Sequence, residues 1–303
     1  MSDIKLFSLS GGAVTELNGS SMAMEKSLQH LIERNLETFL GIRFLASEFS
    51  TGKEHGGRMD TLGIDENGCP VIIEYKRATN ENVINQGLFY LDWLMDHQKD
   101  FEWLVMEKYG KETAQSVEWS APRLLCIAGD FTKYDGHAVK QMNRNIELIR
   151  YRHYDNDLLL LDLVNAASSN QGQTAASSAT TSSSTHRTVT QGLESASQSL
   201  KDRFEGLKDF LLGLGDDVQV KTLKNYVAFS RIKNFACVEV RNNLDCVLIH
   251  IKVDPSTIDL EEGFTRDVSN KGHFGTGNLE IRLKDWPDLE KAKPLLEQSY
   301  EMS

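Results

Sequence analysis

The alternation of apolar and polar positions divides the chain into two patterned regions separated by one unpatterned stretch. Leu28, Leu31, Ile32, Leu36, Phe39 and Leu40 recur at helical spacing, which predicts a helix over 24–40 stopped at Gly41. A short strand is expected at 5–9 and another at 44–49, followed by a glycine-rich loop at 50–57 that reads as mobile. Two β-type runs, 58–64 and 71–76, flank a polar turn at Asp65-Glu66-Asn67-Gly68 and predict a hairpin. A helix over 82–96 follows, with Trp93, Phe101 and Trp103 expected to pack it against a sheet. The apolar run 123–129 reads as a buried strand, 133–145 as a helix, and 146–154 and 158–163 as the last strands of this region.

Residues 165–192 are rich in Asn, Ala, Ser, Thr and Gln and carry no acids, so they have little to bury and are expected to form a flexible linker. The periodicity then resumes. Leu200, Phe204, Leu207, Phe210 and Leu211 predict an amphipathic helix. Strands are expected at 225–231, 235–241, 245–253 and 278–284, and a final helix from Asp285-Trp-Pro287 to about residue 301. The expected organisation is a domain over 1–164, a linker over 165–192, and a smaller α+β domain with antiparallel strands over 193–303. Lys271-Gly-His-Phe-Gly-Thr-Gly277 is a glycine-rich loop in that second domain. Such a loop is more often a plain turn than a ligand cradle.

The 58–76 hairpin carries the chemistry. Strand side chains alternate faces, so Ile72, Glu74 and Lys76 share one side of Val71-Ile-Ile-Glu-Tyr-Lys76. An acid and a lysine two apart in a buried run are costly unless paired or bound to a metal ion. Asp60 on the partner strand meets Glu74 only if the paired residue numbers sum to an even value. A two-residue loop at Asn67-Gly68 gives an odd sum and puts Asp60 on the wrong face. A three-residue loop, 66–68, with Gly68 left-handed, is therefore expected.

Charge and cysteine content narrow the picture. The 303 residues carry a net charge of −11. Residues 1–165 hold 17 Lys+Arg and 25 Asp+Glu (−8), and residues 193–303 hold 15 and 19 (−4). Neither region is a generic polyanion binder, so any nucleic-acid contact rests on local geometry. Arg43, Lys53, His55, Arg58, Lys76 and Arg77 could form a basic patch. The four cysteines form no CxxC pair, which argues against a disulfide framework or zinc site. No leader-like start and no apolar run of membrane-spanning length is evident, so a cytoplasmic protein without membrane contact is expected.

Asp60 followed by Glu74-x-Lys76 resembles the motif of the metal-dependent PD-(D/E)xK nuclease superfamily, with Met59 where the family name has Pro. Gln86-Gly-Leu-Phe-Tyr90 resembles the QxxxY motif of its RecB-like branch. The fuller string, Gly57-Arg-Met-Asp60 through Tyr90, is similar to the catalytic domain of NucS-type endonucleases, and the resemblance covers roughly residues 24–165. It implies an α/β, restriction-endonuclease-like mixed sheet flanked by helices, and hydrolysis of DNA phosphodiesters with Mg²⁺ or Mn²⁺. Asp60, Glu74 and the Tyr75 carbonyl would hold the ion, with a first-helix glutamate, Glu33 or otherwise Glu37, completing the site. Lys76 would orient the attacking water. Gln86 and Tyr90 would position the carboxylates, the lysine or the phosphate, and Arg58 and Arg77 would contact nucleic acid. Single-stranded or branched DNA, a homodimer, and a role in repair or defence are further implications. The C-terminal region resembles a domain found beside such nucleases and labelled "predicted transport protein"; nothing in its residues supports transport. The competing expectation is a non-catalytic module that binds nucleic acid or protein on a nuclease fold.

Overall fold

The computed structural model describes residues 4–10, 12–22, 24–76, 83–155, 157–167 and 188–303. They divide into two compact units. The first runs to Gly63 and adds Val71–Gln115 and Arg123–Ala167; the second comprises Ile64–Pro70, Ser116–Pro122 and the chain from 188 onward.

The first unit opens with a hairpin of β1 (Leu6–Ser10) and β2 (Ala13–Leu17), where one short strand was expected, and the brief β3 (Gly19–Ser20). The helix expected over 24–40 is broken in two, α1 (Glu25–Arg34) and α2 (Leu36–Leu40). The break is at Asn35, whose Nδ2 donates to the Leu31 carbonyl at 3.0 Å, drawing the backbone out of helical register. Gly41 closes α2 in the left-handed conformation, φ 64°. Next come β4 (Ile42–Ser50), the single-turn α3 (Gly52–His55) inside the stretch expected to be loop, and the hairpin β5 (Arg58–Asp65) and β6 (Pro70–Lys76). Then follow α4 (Val83–Asp96), α5 (Gln98–Tyr109), α6 (Lys111–Gln115), β7 (Arg123–Ala128), α7 (Lys133–Gln141), β8 (Asn145–Tyr154) and β9 (Leu158–Ala167).

The sheet order is β3-β8-β7-β6-β5-β4, with β9 also paired to β8. It is mixed: β6–β7 and β7–β8 are parallel, and β8–β9 is antiparallel. Every residue of β7, and all of β6 except Lys76, is buried, which explains their near-continuous apolar runs. In α4, Val83, Ile84, Gly87, Leu91 and Leu94 form the buried stripe. A Cβ on Gly87 would fall 2.4 Å from Leu124 Cδ1, so the helix sits close on β7 because it has glycine there. Trp93 and Phe101 are buried as expected, but Trp103 is 59% exposed. The last strand runs past the expected boundary: Asn165 and Ala166 still pair with Leu148 and Glu147. Of the expected linker, 168–187 lie outside the described residues.

The second unit has α8 (Val189–Glu194), α9 (Gln198–Leu212), β10 (Gln219–Thr222), β11 (Val227–Ser230), β12 (Asn234–Arg241), β13 (Cys246–Ile251), β14 (Thr265–Asp267), β15 (Leu279–Leu283) and α10 (Trp286–Glu301). Its sheet is antiparallel throughout, in the order β10-β11-β12-β13-β15-β14. Phe229, Val238, Ile249 and Ile281 from the strands pack with Leu200, Phe204, Leu207 and Leu296 from the helices in one core. The short edge strands β10 and β14 were not foreseen. All four cysteines are buried and none forms a disulfide. No helix among the described residues is long and apolar enough to cross a membrane.

Gly63 tests the close approach of β5 to β4. A Cβ there would lie 2.5 Å from Ile42 Cγ2 and 3.0 Å from the Arg43 carbonyl. Gly63→Ala should destabilise the protein by about 1–3 kcal/mol, the usual cost of overpacking, read as a lower denaturant midpoint with unchanged slope. An unchanged midpoint would mean that the strands separate freely.

Candidate active site

The turn sets the site. Asp65 N–H donates to the Cys69 carbonyl at 2.9 Å, Gly68 N–H donates to the Asp65 carbonyl at 3.0 Å, and Gly68 has φ 78°. The loop is therefore 66–68, and the pairing sum is even. Asp60 and Glu74 come together as that parity requires. Asp60 N–H donates to Glu74 Oε1 at 3.1 Å, and Tyr75 N–H donates to Asp60 Oδ2 at 3.0 Å. Each carboxylate thus accepts from the backbone of the opposite strand.

Neither acid is comfortable there. Glu74 is fully buried and its Oε2 has no hydrogen-bond partner among the described residues. Burial first, and then the Asp60 carboxylate, push the Glu74 pKa from 4.5 up to about 8. Asp60 is also raised, by burial first; Lys76 opposes the shift, while Glu25 and Glu48 add to it. Lys76, 15% exposed, lies 3.6 Å from Glu25 Oε1.

The first helix faces the hairpin with residues one turn apart: Glu25, Gln29 and Glu33. Gln29 Nε2 donates to the Asp60 carbonyl at 2.8 Å, with Glu33 Oε1 at 3.1 Å and Ser47 Oγ at 3.3 Å also in reach. Glu33 is not brought to the acid pair. Its Oε1 accepts from Thr61 Oγ1 at 2.6 Å, and Thr61, one residue on from Asp60, points to the other side of the strand. Tyr75 lies on that side too, its hydroxyl 3.4 Å from Thr61 Oγ1, with burial holding its pKa up. Glu37 is exposed on α2. The first-helix acid beside Lys76 is Glu25, which the sequence reading missed. The spacing of four through 25, 29 and 33 was the available signal.

Gln86 and Tyr90 act one step from the carboxylates. The Tyr90 hydroxyl accepts from Gln86 Nε2 at 3.0 Å and from Arg58 N–H at 3.2 Å. Its ring lies where a Cβ on Gly57 would be, 2.4 Å from Cε1. The pair therefore clamps the backbone two residues before Asp60. Arg58 itself is 67% exposed, with Nε 2.6 Å from Glu48 Oε2. Glu48 has φ 54°, a left-handed conformation uncommon outside glycine. His55 stacks on Phe89 at 3.8 Å. Arg77 lies outside the described residues.

Among the described residues no three His, Cys, Asp or Glu side chains are already grouped to hold a metal ion. Two carboxylates are what a Mg²⁺ site commonly takes from protein, the remaining ligands being water and substrate phosphate. The unpartnered Glu74 Oε2 beside the Asp60 carboxylate fits that chemistry.

Residues 189–303 match a family described as a domain of unknown function (DUF5655). An uncharacterized protein of Haemophilus influenzae is 29% identical over 308 residues, covering 98% of this chain and 99% of that one. Among solved structures, a repair endonuclease from Pyrococcus abyssi aligns at 20% identity and TM-score 0.29, over 43% of this chain and 48% of its own. EndoMS in complex with double-stranded DNA aligns at 21% and 0.25, over 43% and 47%. This chain thus spans about half the length of these solved relatives.

The raised Glu74 pKa fixes the sign of a pH effect. In the folded protein the group keeps its proton up to about pH 8, against 4.5 when unperturbed. Its folded state binds more protons between those values, so stability falls as pH rises through that window. In metal-free buffer the melting temperature should drop between pH 5 and pH 8.5, and Glu74→Gln should flatten that drop. Parallel pH profiles for the two proteins would show Glu74 to be an ordinary carboxylate.

Proposed function

We propose that the chain is a divalent-metal-dependent endodeoxyribonuclease that hydrolyses DNA phosphodiesters. The observation that carries this is the desolvated pair Asp60 and Glu74, with one unpartnered carboxylate oxygen and Lys76 beside it. Mg²⁺ or Mn²⁺ would be held by Asp60 and Glu74, with the Tyr75 carbonyl as a further ligand. A bound ion of this kind lowers the pKa of a ligated water and offsets charge on the scissile phosphate. Glu33, the first-helix ligand that the resemblance suggests, is held by Thr61, so Glu25 is the better candidate to complete the site through water. The Lys76 ammonium would orient the attacking water and face the charge developing on the phosphate. Gln86 and Tyr90 serve as positioning residues, keeping Asp60 in register through the Arg58 backbone. Arg58, and Arg77 by its place in the sequence, would meet the DNA backbone. DNA with single-stranded or branched character, acted on by a homodimer in the cytoplasm during repair or defence, is the substrate and setting this reading favours.

The test is cleavage of single-stranded, branched and duplex DNA with Mn²⁺ or Mg²⁺, and with chelator. Asp60→Ala and Glu74→Ala should each cut turnover by at least ~10²-fold with circular dichroism unchanged. Lys76→Ala should lower turnover and leave Mn²⁺ binding intact by calorimetry. Cleavage that survives both acid substitutions, or that is indifferent to chelator, would sink the assignment. Mn²⁺ binding without any cleavage would favour a non-catalytic DNA-binding module.

A further inference from the structure

The sheet of the second unit has a polar face opposite the core it shares with α9 and α10. Val238, Ile249 and Ile281 belong to that core, so their strand neighbours point to the other side. The pairing fixes what shares that side. One row runs Arg266, Glu280, His250 and Cys237 across β14, β15, β13 and β12, and the next runs Arg282, Leu248 and Glu239. Arg241, two residues beyond Glu239, follows on the same side. Contacts join these groups in a continuous set. Glu280 meets Arg266 at 2.7 Å, Arg282 at 3.4 Å and His250 at 3.5 Å. Glu239 meets Arg241 at 2.6 Å and His250 at 3.6 Å.

The acids lie inside this set and the cations outside. The side chains of Glu239 and Glu280 are 4% and 5% exposed, whereas those of Arg241, Arg266 and Arg282 are 40%, 50% and 30% exposed. A guanidinium carries five N–H donors in a rigid fork. The carboxylates engage each arginine through Nη2, so they orient the forks and leave donors for a second anion. Three guanidiniums thus stand on one face of a region that is acidic overall. From β14 to β12 is three strand spacings, about 14 Å, so one compact anion does not reach them all. The glycine-rich loop crosses the same face. Gly275 (φ 79°) and Gly277 (φ 137°) hold it close: a Cβ would lie 2.5 Å from Cys237 Cβ and from Ile251 N, respectively. The loop stacks His273 on His250 at 4.3 Å and presents Phe274, 38% exposed, in the same cleft as Arg241.

A matching partner carries several negative charges along its length, with a flat group attached beside one of them. We propose that this face binds single-stranded nucleic acid, with phosphates on Arg241, Arg266 and Arg282 and a base on Phe274. Guanidinium forks match the oxygens of a phosphate. An aromatic ring beside a cationic track holds a single strand without reading its sequence, because every base has a flat face to stack. In a duplex the bases are stacked on one another and closed to Phe274, so the single strand is the better fit. The strand is DNA or RNA; the phosphate and base chemistry is the same. The site lies wholly in the second unit and does not depend on the nuclease reading.

The experiment is fluorescence anisotropy of the full-length protein in chelator, with labelled single-stranded DNA and RNA of mixed sequence and the same DNA as duplex. Co-sedimentation with phosphatidylserine vesicles tests the other polyanionic surface. A single strand is expected to bind at least fivefold more tightly than the duplex, and the tighter of DNA and RNA identifies the source. Replacing Arg241, Arg266 and Arg282 together by Gln should weaken the strand at least tenfold. It should also lower the slope of log affinity against log salt by about 2, from three phosphate contacts at roughly 0.7 each. Arg266→Gln alone, on the edge strand, should weaken it at least twofold. Phe274→Ala, at an exposed position, should weaken it at least fivefold with the salt slope unchanged. Lys291→Gln with Lys293→Gln, on α10 across the core, should bind like the parent. Chelator keeps metal out of the measurement, so these results stand or fall apart from any cleavage. Absence of strand binding, tighter binding of the duplex or the vesicles, parent-like affinity in Arg266→Gln and Phe274→Ala together, or an equal loss in the α10 variant would overturn the assignment.

Discussion

Two carboxylates forced together out of water are the constraint around which the first unit is built. Leaving a buried charge uncompensated costs several kcal/mol, and here Asp60 and Glu74 are compensated only in part, each by one backbone N–H from the other's strand. Those bonds exist only because the turn has three residues. With two, every side chain of one strand would change faces, and Asp60 would sit opposite Tyr75. Gln29 and Tyr90 then fix the same short segment from two helices, one through the Asp60 carbonyl and one through the Arg58 N–H. The hairpin is held by its backbone so that its acid side chains need not hold themselves.

Much of this was legible before any coordinates. The parity argument needed only strand alternation and the numbers 60 and 74, and the turn at Gly68 follows it. The buried runs of β6 and β7 are unambiguous because parallel strands covered on both faces have little use for polar residues. Other parts were not legible, for physical reasons. The break at Asn35 depends on a side-chain bond to a carbonyl that also satisfies an unbroken helix pattern. Helix α5 buries only Phe101 and Val105, so its periodicity is faint. Edge strands as short as β14, with three residues, carry too few side chains to alternate visibly. Glu33 and Glu25 lie on one helical stripe, and what separates them is Thr61, whose hydroxyl captures Glu33. Helical spacing shows which face a residue is on; it does not show what the facing strand will offer it.

Among the described residues, three cations near the site are engaged by acids of the same chain: Lys76 by Glu25, Arg58 and Lys26 by Glu48. An exposed ion pair is worth about 0–1 kcal/mol, so the pair of Arg58 and Glu48 adds little to stability. Lys76 is more enclosed, 15% exposed and 3.6 Å from Glu25 Oε1. The left-handed backbone at Glu48 belongs to the same arrangement. It falls on the residue whose carboxylate meets the arginine, at a conformational cost of roughly 1–3 kcal/mol.

Buried acids in the two units show how neighbours decide the outcome of the same penalty. Burial raises the pKa of Glu280 as it does that of Glu74, yet Glu280 ends at about 2 because hydrogen bonds from His250 and Arg266 outweigh it. Glu74 has one backbone N–H, a second acid beside it and a lysine already shared with Glu25, and it ends at about 8. Glu280 is therefore a saturated structural anion that fixes the row across β12, β13 and β15. Glu74 is a carboxyl group that keeps its proton to about pH 8 because it lacks such partners. Glu239 falls between them: burial raises it, and Arg241 at one oxygen and His250 at the other pull it back. These three carboxylates differ in how much compensation they have, Glu280 the most and Glu74 the least.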